Sequence, residues 1–166
     1  MKVKTQDLDV ALFKQKHADY KVLIDNDIKD YAKYIRRTTL QQYGKNARLE
    51  IDAFLSILER GGKRIRGSLT MLGYEMMGGK DQDMILQAAR VVEMIHAYIL
   101  IIDDIQDRSL VRRGGPSAHA LLADYHKKND LAGSSEHFGI SVALDSALAG
   151  GHAAQIIGAV GERDVL

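Results

Sequence analysis

The chain has 166 residues, 46% of them hydrophobic, a formal net charge of +1 and no cysteine. That is enough for one domain with a substantial core. The charge leaves no global field to recruit nucleic acid, and the missing cysteines exclude a disulfide framework, a thiolate metal site and a thiol nucleophile.

The N-terminus is charged and polar, without a signal-peptide core. The sequence predicts helices nearly throughout: one proline and no sustained polar/apolar alternation leave little room for a sheet. A first helix is expected over residues 20–43, carrying Val22, Ile24, Ile28, Tyr31 and Ile35 at three- and four-residue spacing. A second covers 47–58 and stops at Gly61-Gly62; a third covers 64–77 and ends at Gly78-Gly79. The fourth, over 83–107, is apolar on most faces and should lie in the middle of a bundle. Its longest apolar stretch, residues 91–102, contains Glu93 and His96 and falls short of the about 20 apolar residues that span a bilayer. No transmembrane segment and a cytoplasmic location are therefore expected. Pro116 and Ser117 open a short helix reaching 127, a polar loop follows over 128–135, and a small-residue helix covers 139–158. The expected architecture is an all-α helical bundle forming a single domain over 1–166.

Four groups on these elements could carry chemistry. Asp103 and Asp107 are four residues apart and share a helix face, with Asp104 beside them. Carboxylates at a helix C-terminus oppose the macrodipole unless a cation answers them. Magnesium is such a cation, and phosphate oxygens commonly complete its shell. The alternative is a solvated helix end, weakened here by the apolar run 97–102 immediately before. In Gly61-Gly62-Lys63-Arg64-Ile65-Arg66-Gly67, the glycines let backbone approach an anion, and a helix N-terminus follows. Taken alone this is a helix breaker and a basic first turn. Basic residues at a helix N-terminus oppose the dipole, however, which favours an anionic ligand; the spacing is not that of a P-loop, so nucleotide binding is disfavoured. Arg112-Arg113 is either a solvated loop pair or, one loop beyond the carboxylates, a planar fork for phosphate. His96, seven residues before Asp103, reads by itself as a core histidine rather than a ligand.

These segments together resemble the trans-type isoprenyl diphosphate synthases, or polyprenyl synthetases. The resemblance rests on Gly61 to Gly67, on Glu93-Met94-Ile95-His96-Ala97-Tyr98, and on Asp103-Asp104-Ile105-Gln106-Asp107 with Arg112-Arg113-Gly114 and His119. Order, spacing and helical context match over about residues 55–119.

The resemblance implies the N-terminal part of the isoprenoid synthase fold and a prenyltransferase that condenses isopentenyl diphosphate with an allylic diphosphate (dimethylallyl, geranyl or farnesyl). Asp103, Asp104 and Asp107 would form the first aspartate-rich motif and bind magnesium bridging to the allylic diphosphate, which Arg112 would contact. Lys63, Arg66, His96 and Arg113 would hold the diphosphate of isopentenyl diphosphate, reversing the reading of His96 alone. The implied reaction is ionisation to an allylic carbocation, attack by the isopentenyl double bond and loss of a proton. It relies on electrostatic stabilisation of a leaving group in an apolar cavity.

Product length would be set by bulk below the aspartates, at Tyr98 and Ile99. With no insertion in the aspartate motif, these residues lean toward geranylgeranyl or farnesyl diphosphate. A homodimer is expected. The chain departs from the family pattern at Ile102, where a histidine is common, and near Asp145 and Ala147-Leu148, where a Gly-Asp pair is expected beyond His137 to Ser141. No second DDxxD occurs. The expectation is thus a truncated, inactive N-terminal portion lacking the C-terminal half. The alternative is a non-catalytic binding or regulatory subunit of a heteromeric synthase.

Overall fold

A computed structural model describes residues 10–160 of the protein. Its elements run α1 (Val10–Glu59), α2 (Ile65–Met76), α3 (Gln82–Gln106), β1 (Val111–Arg112), β2 (Gly115–Pro116), α4 (Ala118–Lys128) and α5 (Ser135–Val160). The architecture is all-α. Its one exception is a two-stranded antiparallel hairpin pairing Val111 with Pro116 and Arg112 with Gly115. Pro116 therefore ends a strand instead of opening a helix, and Ser117 is the N-cap of α4.

The two expected N-terminal helices form one bent element. Gly44 (φ 77, ψ −169) breaks the helical geometry inside α1, a conformation that a residue with a Cβ rarely adopts. The helix starts ten residues earlier than expected. Leu12 and Phe13 lie in its first turns but are exposed, so apolar periodicity does not mark them. Further along, Tyr20, Ile24, Ile28 and Tyr31 are buried whereas Val22 is 58% exposed. Val22 lies two residues from both Tyr20 and Ile24, on the opposite side of a 3.6-residue helix.

α5 likewise starts four residues early, because Ser134 caps it: its Oγ accepts from the His137 N–H at 3.2 Å. Small residues then let α5 lie close to its neighbours, with Gly139 against the His119 carbonyl on α4 and Gly150 under the Phe54 ring on α1.

α3 packs against α1, α2, α4 and α5, as its apolar composition predicts. It is not buried all round, since Ile95 and Ile99 stay exposed on one face. By length and mean hydropathy (1.7 and 1.2), residues 82–106 and 135–159 would each suffice to cross a membrane, which corrects the estimate from residues 91–102 alone. Within α3, however, Arg90, Glu93 and Asp104 are buried in the bundle, so these three polar groups face protein. The core joins Ile24, Ile28, Phe54, Leu55, Leu58, Met94, Ile101 and Leu122, all 2% exposed or less.

Candidate active site

The turn between α1 and α2 is built on left-handed backbone: Gly61 has φ 74, Gly62 φ 139 and Arg64, the N-cap of α2, φ 50. A non-glycine residue holds such a conformation only when its surroundings over-determine it. They do so here. The Arg64 side chain is buried and donates from Nε to Asp25 Oδ1 (2.8 Å), from Nη1 to Glu93 Oε2 (3.1 Å) and from Nη2 to the Leu58 carbonyl (2.8 Å). Glu93, also buried, uses its second oxygen to accept the Gly67 N–H at 3.0 Å. One carboxylate in the middle of α3 therefore fixes both the turn and the first helical turn of α2. The side chains on either side of Arg64 project outward from this anchor.

Lys63, Arg66, His96 and Arg113, the four residues expected to hold one diphosphate, line a single open cleft of about 320 Å³ with Gly62 and Glu93. Arg66 Nη1 lies 3.3 Å from His96 Nε2. Arg113 packs on Gly62, where a Cβ would come within 3.0 Å of its Cζ, and it donates to the Gly61 carbonyl. Burial, followed by the positive charge of Arg66, holds the His96 imidazole below its usual pKa, and Arg113 and Arg64 add to the effect. A cleft lined by Lys63, Arg66, Arg113 and an imidazole is suited to an anion.

The carboxylates lie across the hairpin from this cleft. Arg112 donates from Nε to Asp104 Oδ1 at 2.8 Å, pairs with the same oxygen through Nη2, and reaches Asp103 Oδ2 at 3.2 Å. The cation that answers the acidic end of α3 within the chain is thus Arg112. Asp104 is fully buried and Asp103 half exposed, while Asp107 caps α3 at the surface, its N–H bonded to the Asp103 carbonyl at 2.8 Å.

The second carboxylate oxygen of Asp104 is buried without a hydrogen-bond partner. An orphaned anionic oxygen is costly, and a hard cation that prefers oxygen ligands would satisfy it. In that respect the residues fit magnesium. Among the described residues no three carboxylate or imidazole side chains converge as a ready-made metal set, so Asp107 and Asp103 would have to turn toward the ion.

The sequence profile of the polyprenyl synthetase family matches residues 49–147, the span that builds both halves of this site. The chain belongs to the polyprenyl synthetase family. It is 40% identical over 73 residues to a geranylfarnesyl diphosphate synthase of Aeropyrum pernix, a match covering 43% of this chain and 23% of that protein. It is 46% identical over 68 residues to a short chain isoprenyl diphosphate synthase of Methanocaldococcus jannaschii, covering 41% of this chain and 20% of the relative. Its fold is similar to the crystal structure of geranylgeranyl pyrophosphate synthase from Corynebacterium glutamicum complexed with isoprenyl diphosphate and magnesium (TM-score 0.75, 26% identity). That match covers 83% of this chain and 40% of the other. The matched segments thus span between 20% and 40% of the length of these synthases. The all-α architecture is that of the isoprenoid synthase fold.

In this polyprenyl synthetase chain the residues expected to set product length point differently. Tyr98 turns toward α5, its ring resting on Gly151 beside Leu148 and His152, whereas Ile99 is 53% exposed. His119 is buried behind the hairpin, with Nδ1 3.2 Å from Ser117 Oγ, and burial lowers its pKa. Asp145 lies exposed on α5 close enough to Glu50 for its charge, after burial, to raise the Glu50 pKa.

Sequence reasoning missed three positioning residues. Arg64 was passed over between Lys63 and Arg66. Glu93 interrupts an apolar run and opens the segment shared with the family, but is given no role of its own, although a charge in such a run is itself a signal that something buried must pair with it. Arg60, whose Nη1 donates to the Arg112 carbonyl at 3.2 Å, carries no signal in the sequence.

Proposed function

We propose that this chain supplies the N-terminal wall of a short-chain isoprenyl diphosphate synthase, which joins isopentenyl diphosphate to an allylic diphosphate to make geranylgeranyl or farnesyl diphosphate. The observation that carries the reading is the hairpin. Its consecutive residues Arg112 and Arg113 serve different groups, one pairing with Asp103 and Asp104 and the other closing a cationic cleft with Lys63, Arg66 and His96. Two neighbouring sites of this kind suit two diphosphates held side by side.

In this reading Lys63, Arg66 and Arg113 orient isopentenyl diphosphate through its phosphate oxygens, and His96 donates a further hydrogen bond. Arg112 exchanges part of its aspartate pairing for the allylic diphosphate, and Asp103, Asp104 and Asp107 hold magnesium. The ion, when bound, supplies Lewis-acid neutralisation of the leaving diphosphate. Tyr98 and Ile99 lie one to two turns below Asp103 and bound the room for the growing chain. The reading includes a cytoplasmic homodimer.

The test is calorimetric titration of the purified protein with isopentenyl diphosphate, and with geranyl diphosphate plus magnesium. This is followed by chromatography of products from isopentenyl diphosphate with dimethylallyl, geranyl or farnesyl diphosphate in the enzyme that contains this chain. Failure of both ligands to bind refutes the reading. A second reading is a non-catalytic subunit of a heteromeric synthase, in which the cationic cleft and the aspartates bind ligand without turnover. It expects binding without product from the 166-residue chain alone, and product once a chain carrying a second aspartate-rich cluster is added.

A further inference from the structure

The hairpin that carries Arg112 and Arg113 is too small to hold itself. It has two residue pairs, and its turn places Arg113 (φ 51) and Gly114 (φ 76) in left-handed backbone, the pattern of a type I′ turn. Arginine in the first of those positions is strained, and an isolated hairpin of any length is marginal in water.

The side chains of Arg112 and Arg113 tie its turn to Asp104 and to the Gly61 carbonyl, and its backbone is held from outside by Arg60 just beyond α1. Its Nη1 donates to the Arg112 carbonyl at 3.2 Å and to the Pro116 carbonyl, one acceptor from each strand, while Nη2 reaches back to Ser56 Oγ on α1 at 3.5 Å. The guanidinium lies where Gly115 has no side chain. A Cβ on Gly115 would sit 2.9 Å from Arg60 Cζ and Nη1 and 3.1 Å from Nε. Because the obstacle is the far end of a flexible side chain, a methyl group there would displace Arg60 without breaking the backbone.

We propose that Arg60 and Gly115 form a matched pair in which Arg60 is a positioning residue: it sets the hairpin, and thereby aims Arg112 at the aspartates and Arg113 at the Gly61-Gly62 turn. The consequence for ligands rests on the diphosphate reading above; the consequence for the hairpin does not. The planar fork suits the task because Nη1, with its two N–H groups, serves one acceptor on each strand while Nη2 points back to Ser56 on α1, tying the hairpin to the helix.

The experiment is a double-mutant cycle of Arg60→Ala, Gly115→Ala and the pair. One readout is hydrogen exchange at the hairpin, including the Ser117 N–H bonded to the Leu110 carbonyl at 3.0 Å. The other is calorimetric affinity for geranyl diphosphate with magnesium and for isopentenyl diphosphate. Each single variant should keep its far-UV spectrum, exchange faster at the hairpin and bind each ligand about tenfold more weakly. The double variant should match either single one, because Gly115→Ala acts only by displacing Arg60. Wild-type exchange in Arg60→Ala overturns the proposal, as does a double variant whose effects multiply, or weakened binding with an unchanged hairpin. If the wild-type protein binds neither ligand while exchange still follows the cycle, the diphosphate reading falls and the matched pair stands.

Discussion

Glu93→Ala should be the most damaging substitution in the site, although Glu93 would touch no ligand. Its side chain and that of Arg64 are 3% and 2% exposed, and they meet at 3.1 Å. Removing the carboxylate leaves the guanidinium with Asp25 and the Leu58 carbonyl as remaining partners, and it orphans the Gly67 N–H. Breaking a buried ion pair from one side costs about 3–5 kcal/mol. An unsatisfied buried N–H costs about 1–3 kcal/mol. The two overlap, and Asp25 still neutralises part of the charge, so a net loss of about 3–4 kcal/mol is expected. Glu93→Gln can keep the Gly67 hydrogen bond while losing the charge, and should cost about 2 kcal/mol. Against a domain stability of about 5–15 kcal/mol, the alanine variant would lose a large share of its folding free energy. Equilibrium urea unfolding followed by far-UV circular dichroism measures both. A Glu93→Ala protein within about 1 kcal/mol of wild type would show that Arg64 is anchored by its other partners and that Glu93 is not the keystone of the turn.

Asp103→Ala should abolish condensation in the enzyme containing this chain with little change in its melting temperature, since Asp103 is half exposed. Arg112→Ala should abolish it too but lower the melting temperature, because it leaves the buried Asp104 carboxylate without its cation; near wild-type turnover of either variant would overturn the site assignment. The lowered pKa of His96 means that its neutral form is the one folding favours. That stabilisation is present above the unfolded-state pKa and fades as pH falls through the folded-state value. An anion in the cleft reverses the shift, so isopentenyl diphosphate should take up a proton and bind more tightly as pH falls from about 8 to about 6. Calorimetry in buffers of different ionisation enthalpy reads this directly, and His96→Gln should remove it. Gly150→Ala would place a Cβ 2.2 Å from the buried Phe54 ring and should cost about 2–3 kcal/mol or more, seen as a fall in the urea midpoint.

Helix content and the central place of α3 were legible in the sequence because each rests on local patterns, whereas the grouping of Lys63, Arg66, His96 and Arg113, which line one cleft, came from the family resemblance alone. Periodicity places apolar faces, glycine pairs end helices, and four-residue spacing puts Asp103 and Asp107 on one face. Helix starts were less legible. Residues 10–19 are helical without an apolar stripe, and Ser134 caps α5 ahead of its small-residue run. The hairpin was hidden because a pair of two-residue strands has no alternation to detect.

The amino-acid order alone determined which residues carry charge and at what interval, and with that the family and the chemistry the site is suited to. Only the tertiary structure decided which charges face a ligand and which hold the frame. Lys63, Arg64 and Arg66 are near neighbours of the same sign. Yet Arg64 is buried at the back of the cleft and tied to Glu93 and Asp25, while the other two are exposed along it. That division depends on a left-handed residue and on a carboxylate 29 positions away, and short-range spacing contains neither. The same holds for Arg60, whose partners lie 52 and 56 residues along the chain and are backbone carbonyls. Every residue has such a carbonyl, so a sequence cannot mark the ones that will be used.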